Sequence, residues 1–159
     1  MRDTLLLQLP NADAGRSRLY ENIVDLRAVS PGAQLVQTDR PDRRQLVARP
    51  GDPVEITWRV RATARSYTSD DAHNHSDIGP NWAQIVGYDA LVLPPLLRGT
   101  PLCATMRFRG LPPAAAVATS FGLLGPDSTI PMRGSLSDLR HAVYILATNR
   151  RWSHAQSGW

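Results

Sequence analysis

From Asp52 to Ala64 the chain reads DPVEITWRVRATA, and Val54, Ile56, Trp58 and Val60 alternate with Glu55, Thr57, Arg59 and Arg61. Successive side chains of a strand point to opposite faces, so this period predicts a strand with one buried face and one wet face. The apolar runs Leu19 to Val29, Trp82 to Leu93, Leu102 to Leu111 and Ala142 to Ala147 read as partners for the buried face. The strand is therefore expected near the centre of an antiparallel sheet, with Trp58 in the core.

The rest of the pattern is a series of short apolar segments punctuated by Pro and Gly. Thr4 to Leu9 reads as a strand ended by Pro10, with the turn-rich NADAG after it as a loop. Leu19 to Val29 fits two periods, and its Ile and Val content favours a strand preceded by a helical turn. Gln34 to Thr38 and Gln45 to Ala48 are strand candidates on either side of the charged loop DRPDRR. Arg49-Pro-Gly-Asp-Pro53 is a strong turn signal, because Pro fixes φ and Gly supplies φ > 0. Leu102 to Phe108 alternates cleanly, whereas Ala114 to Phe121 suits a strand or a buried helical turn. Gly122 to Gly134 is rich in breakers and reads as loop. Leu136 to Arg140 suits a helical turn capped by Ser135, and Val143 to Leu146 a last strand.

Short strands at such spacing, with no long amphipathic helix, predict an all-β fold: an antiparallel sandwich or saddle-like curved sheet with short helical turns. One domain over 1–147 is expected, followed by a polar tail over 148–159.

Composition narrows the function classes. Hydrophobic content is 42% and aromatic content 6%, so Leu, Val, Ile and Ala must supply most of the core. All 18 basic residues are Arg, and they are scattered along the chain, with Arg43-Arg44 and Arg150-Arg151 as tight pairs. No basic helix or aromatic-basic module accompanies the net charge of +4, so no nucleic-acid partner is expected. Cys103 is the sole cysteine, which removes an internal disulfide framework or a CxxC metal site. MRDTLLLQLP lacks an export signal's apolar length and cleavage site, and no run approaches a membrane span. A soluble cytoplasmic protein without a membrane partner is the expectation.

Candidate chemistry is concentrated in the polar stretch Arg65 to Pro80, where Asp70, Asp71, His73, His75 and Asp77 fall within eight residues. Imidazoles and carboxylates ligate divalent metals, which makes His73, His75 and Asp77 the metal candidates. An i, i+2 His pair in a long polar stretch has no fixed geometry, however, and a solvated or partner-facing loop is favoured. HExxH, GxSxG and GxGxxG are all absent. Cys103 as a nucleophile would need His141 or His154 beside it, and the sequence places neither there. Trp58, Trp82 and Tyr88 could form a sugar-stacking platform, but Trp58 shares a face with Val54 and Ile56, which favours core packing. No catalytic residue, no cofactor-binding residue and no cofactor is expected.

Leu5-Leu-Leu-Gln-Leu-Pro10, Asn22-Ile-Val-Asp-Leu-Arg-Ala28, RPGDPVEITWRVRA and Gly87-Tyr-Asp-Ala-Leu-Val-Leu-Pro94 together resemble the amino-terminal domain of the glycyl-aminopeptidase-like zinc metallopeptidases. Met106 to Gly122, MRFRGLPPAAAVATSFG, is similar to the strand and turn before that family's peptidase domain. The resemblance runs from about Leu5 to Ala147 and rests on strand residues without catalytic groups. It implies a saddle-like β domain whose zinc ligands and catalytic Glu belong to a domain beyond this chain, with a PDZ module further on. Where the family carries a Trp-x-Pro-Gly-like turn, this chain has NADAG, and the family usually has additional strands ahead of the LLLQLP position, so the first sheet is expected to be incomplete at its edge. The expected role is a non-catalytic binding or scaffolding module, partnered by a peptidase domain or another protein, with self-association through an exposed sheet edge as a further route. Alternatives are the substrate-side part of an aminopeptidase whose zinc domain lies on another chain, and a sugar-binding β-sandwich module.

Overall fold

The computed structural model describes residues 3–13, 16–61, 76–97, 99–107, 114–125 and 129–148. Strand β1 (Asp3–Gln8) leads into the two-residue strands β2 (Ala12–Asp13) and β3 (Arg16–Ser17), which form a small hairpin where a plain loop was expected. A 3-10 turn at Leu19–Asn22 then enters β4 (Ile23–Ala28), as the mixed period of that segment predicts. Next come β5 (Gln34–Gln37), β6 (Arg43–Ala48) and β7 (Ile56–Val60). Strand β6 takes in Arg43 and Arg44, which the charge pattern had assigned to the loop.

The second half opens with β8 (Asp77–Ile78), β9 (Trp82–Val86) and the single helical turn α1 (Gly87–Ala90). After a 3-10 turn at Pro95–Leu97 come β10 (Pro101–Arg107), β11 (Ala115–Thr119), β12 (Gly122–Leu124) and β13 (Thr129–Ser135). Helix α2 (Leu136–His141) and β14 (Val143–Thr148) complete the described chain. The architecture is all-β, built from antiparallel open sheets with two short helices, as the alternation implies.

The sheets fall into two groups. In the first, β1, β6 and β5 form a sheet in that order, and β4 pairs with β7. In the second, β12-β11-β14-β9-β8 form the largest sheet and β10 pairs with β13. Leu7, Leu9, Ile23, Leu46 and Val92 form a buried cluster, onto which Ile56, Trp58 and Val60 pack from one side. Val92 comes from the second half of the chain, and Gln8 and Leu93 exchange backbone hydrogen bonds of 2.9 and 3.1 Å. That exchange stitches the two groups together.

The strand read as central differs from expectation in length and place. β7 spans five residues and pairs with β4 alone among the described strands, through a register shift between Val24 and Arg27. Asp25 takes φ 53° at that irregularity, a bulge that sharpens the twist of the pair. Alternation reports which face is buried, and it holds no information on how many neighbours a strand has.

Gly122 to Gly134 is the other correction, since it contains β12 and β13. Pro131 lacks an N–H, and β13 tolerates it because β13 pairs with β10 on one side and leaves its other edge without a described partner. Helix α2 follows the expectation: the Ser135 hydroxyl accepts from the Asp138 N–H, and the Asp138 carboxylate accepts from the Ser135 N–H at 2.6 Å. The Ser135 hydroxyl, donating to the Asp138 carboxylate at 2.9 Å, and then the Ser135 N–H hold that carboxyl below the usual carboxylate range. No helix among the described residues is long and apolar enough to cross a membrane.

Candidate functional site

Of the metal candidates, His73 and His75 lie outside the described residues, as do Asp70, Asp71 and His154. Asp77 opens β8 opposite Gln84, and its side chain accepts a hydrogen bond of 2.8 Å from the N–H of Ile78. Among the described residues no group of three His, Cys, Asp or Glu side chains is placed to hold a metal ion. Cys103 lies in β10 opposite Arg133, with its side chain outside the description.

The polar stretch re-enters the fold at a well-defined anchor. Asp89, 3% exposed in α1, accepts from the Ser76 N–H at 2.8 Å, and the Ser76 hydroxyl accepts from the Val86 N–H at 2.8 Å. A buried carboxylate of this kind is tolerated because it receives hydrogen bonds. Asp89 is thus a structural residue, and periodicity alone gave no sign of it.

The three aromatic residues weighed as a sugar platform line three different depressions. Trp82 is 47% exposed at the start of β9, beside Gly79. Tyr88 sits on α1 between two residues of α2: its hydroxyl meets His141 Nε2, and the Arg140 guanidinium lies 4.7 Å from its ring centroid. His141 Nδ1 is 2.6 Å from the Ser137 carbonyl, so the N–H sits on Nδ1 and Nε2 accepts from the Tyr88 hydroxyl. This cluster docks α1 on α2 and opens onto little space, a void of about 10 Å³.

Trp58 lines a cavity of about 440 Å³ between the two groups of sheets. From β7 come Trp58 and Val60, and from the facing sheet Ile85 of β9 and Tyr144 of β14, which lie opposite each other in register. Ala90, Leu91 and Leu93 form a third wall, closed by Leu139 of α2, while Arg107 at the end of β10 supplies the one charge in the lining among the described residues. Trp58 is half-buried, a correction to the fully buried place its period suggested, because its indole borders this cavity.

Polar atoms inside the cavity are occupied by the fold. Trp58 Nε1 donates to the Ala90 carbonyl at 2.8 Å, and the Tyr144 hydroxyl donates to the Leu139 carbonyl at 3.2 Å. Burial pushes the Tyr144 phenol up to about 12. Trp58 also borders a second depression on the β4–β7 pair, of about 410 Å³, with the polar residues Asp25, Arg27, Thr57 and Arg59. There Asp25 pairs with Arg59, and Arg27 donates to the neutral Thr57 hydroxyl at 3.3 Å.

Comparison with solved structures then places the architecture. An aminopeptidase N family protein from Idiomarina loihiensis superposes with a TM-score of 0.67 over 90% of this chain, at 20% identity. The likeness is one of fold. This chain spans 24% of that protein's length. No protein-family model matches the sequence, and no curated protein is similar to it.

Proposed function

We propose that this chain is a non-catalytic β domain of a peptidase-related protein, acting as a binding or scaffolding module beside a catalytic domain or separate catalytic chain. The observation that supports this most directly is the fold likeness, which takes in 90% of this chain and only 24% of an aminopeptidase N family protein. A fold is a weaker guide to function than a site, so the residues must agree. A binding role is supported by the cavity of about 440 Å³, whose described lining is mainly apolar and whose Trp58 and Tyr144 polar atoms donate to backbone carbonyls. The glycyl-aminopeptidase-like resemblance of the sequence motifs points the same way.

Purified chain is expected to leave small amino-terminal Gly and Ala amides uncleaved, with or without added zinc. Cleavage that a chelator abolishes would refute the reading. In this reading His73 and His75 are not metal ligands. Replacing both with Ala should leave the melting temperature equal to the parent's in zinc and in chelator, and a zinc-dependent rise confined to the parent would make them a metal site.

A further inference from the structure

The cavity between Trp58 and Ile85 has an unequal distribution of polarity that defines a ligand. Its walls are aliphatic and aromatic, and the indole N–H and phenol O–H within it already donate to the carbonyls of Ala90 and Leu139. A ligand body entering it must therefore be apolar, since a buried hydroxyl or amide would lose its water without gaining a partner. Arg107 is different. It lines the same cavity, is itself exposed, and its guanidinium has no hydrogen-bond or ion-pair partner among the described residues, while its backbone pairs with Thr129 of β13. Among the described residues, no acidic side chain lines the cavity to neutralise it.

We propose that this cavity is a binding site for an amphipathic monocarboxylate, such as a medium-chain fatty acid, with its tail against Trp58, Ile85 and Leu93 and its carboxylate on Arg107. A guanidinium offers parallel N–H donors that match both oxygens of a carboxylate. One guanidinium balances one negative charge, so a phosphate dianion would be left partly uncompensated. The volume of about 440 Å³ lies within the roughly 300–1,000 Å³ usual for small-ligand sites. The inference rests on reading the chain as a binding module, and it names what that module binds.

Calorimetric titration of the purified chain with decanoate, paralleled by decanol, tests it. Decanoate should bind at one site and shift the indole N–H resonance of Trp58, identified by its loss in Trp58→Phe. Decanol should bind about tenfold more weakly, and Arg107→Gln should lower decanoate affinity to the level of decanol, as loss of one charge-assisted hydrogen-bonded pair requires. Arg107 is exposed, so this variant should melt like the parent. Absence of decanoate binding, or equal binding of acid and alcohol, overturns the proposal. So does self-association that buries the Trp58 resonance and excludes decanoate, which would give the cavity to a second copy of the chain. A chain inert toward peptides that also ignores decanoate refutes the ligand alone, whereas chelator-sensitive peptide cleavage refutes the non-catalytic reading whatever the titration gives.

Discussion

At the scale of single residues, Trp58 shows how far alternation reaches. Its period places it on the inward face with Ile56 and Val60, and that face does pack on the Leu7, Leu9 and Leu46 cluster. The cavity beside it and the bond from its indole to the Ala90 carbonyl depend on a segment 32 residues away, which no local pattern reports. Two variants separate the contributions. Trp58→Phe keeps most of the ring and should cost about 1 kcal/mol, the net worth of the hydrogen bond, while Trp58→Ala should cost about 3 kcal/mol from lost packing. Denaturant melts giving equal costs would mean that the ring does no packing. Arg107 was hidden for a similar reason, since the clean period of β10 lies on Leu102, Ala104 and Met106 and assigns Arg107 to the wet side. Tyr144, 5% exposed, carries a pH signature. Its phenol ionises at about 12 in the folded chain and near 10.0 when unfolded. A raised folded-state pKa gives stability that is whole below pH 10 and lost as pH rises toward 12. Tyr144→Phe should remove that part of the alkaline loss, measured as a smaller gap between melts at pH 9 and pH 11.

At the scale of elements, local chemistry was legible wherever it settles conformation by itself. Ser135 announced α2 as its cap, and the structure adds Asp138 as the second half of a capping box within the same turn. The 3-10 turn before β4 was legible differently, in the mixed period of Leu19 to Val29, since no side chain caps it. Breakers misled over β12 and β13, since Pro131 forbids one hydrogen bond and thus excludes a central strand but permits an edge. Packing between elements leaves a fainter trace, and Gly87 is an instance. A Cβ there would run into the carbonyl oxygens of Leu139 and Arg140, which are backbone atoms of α2. Gly79 is also crowded, but by the side chain of the half-exposed Trp82, which can swing away. Gly87→Ala should therefore destabilise by about 2 kcal/mol or more, and Gly79→Ala by less than about 1 kcal/mol. Equal losses in thermal melts would show that α1 can slide on α2. In sequence Gly79 ends the polar stretch and Gly87 follows the apolar run from Trp82, and neither setting reports that only Gly87 is crowded by backbone.

At the scale of the whole molecule, the order of strands was legible as a class and the grouping of sheets was not. Short alternating segments imply antiparallel sheets, and those are present. Which segments share a sheet is decided by long-range pairing, as β14 demonstrates by lying between β11 and β9. That pairing also creates the cavity, because it sets the inward faces of β9 and β14 opposite β7. The two groups of sheets could in principle unfold separately, each with its own hydrogen bonds. Val92 argues against this. It follows α1 in the second half, is 2% exposed, and belongs to the cluster of Leu7, Leu9, Ile23 and Leu46 from the first half. Leu93 next to it exchanges backbone hydrogen bonds with Gln8. Opening the first group would strand Val92 in water, and opening the second would pull it from the core, so each event exposes apolar surface that the other group had covered. The chain should consequently melt in one cooperative transition, with circular dichroism and tryptophan fluorescence tracing the same curve. Val92→Ala removes apolar area from that shared cluster and should lower stability by about 2 kcal/mol while moving the whole curve. Two separated transitions in the parent would show that the halves are independent units, and a split appearing only in Val92→Ala would show that this residue is the tie between them.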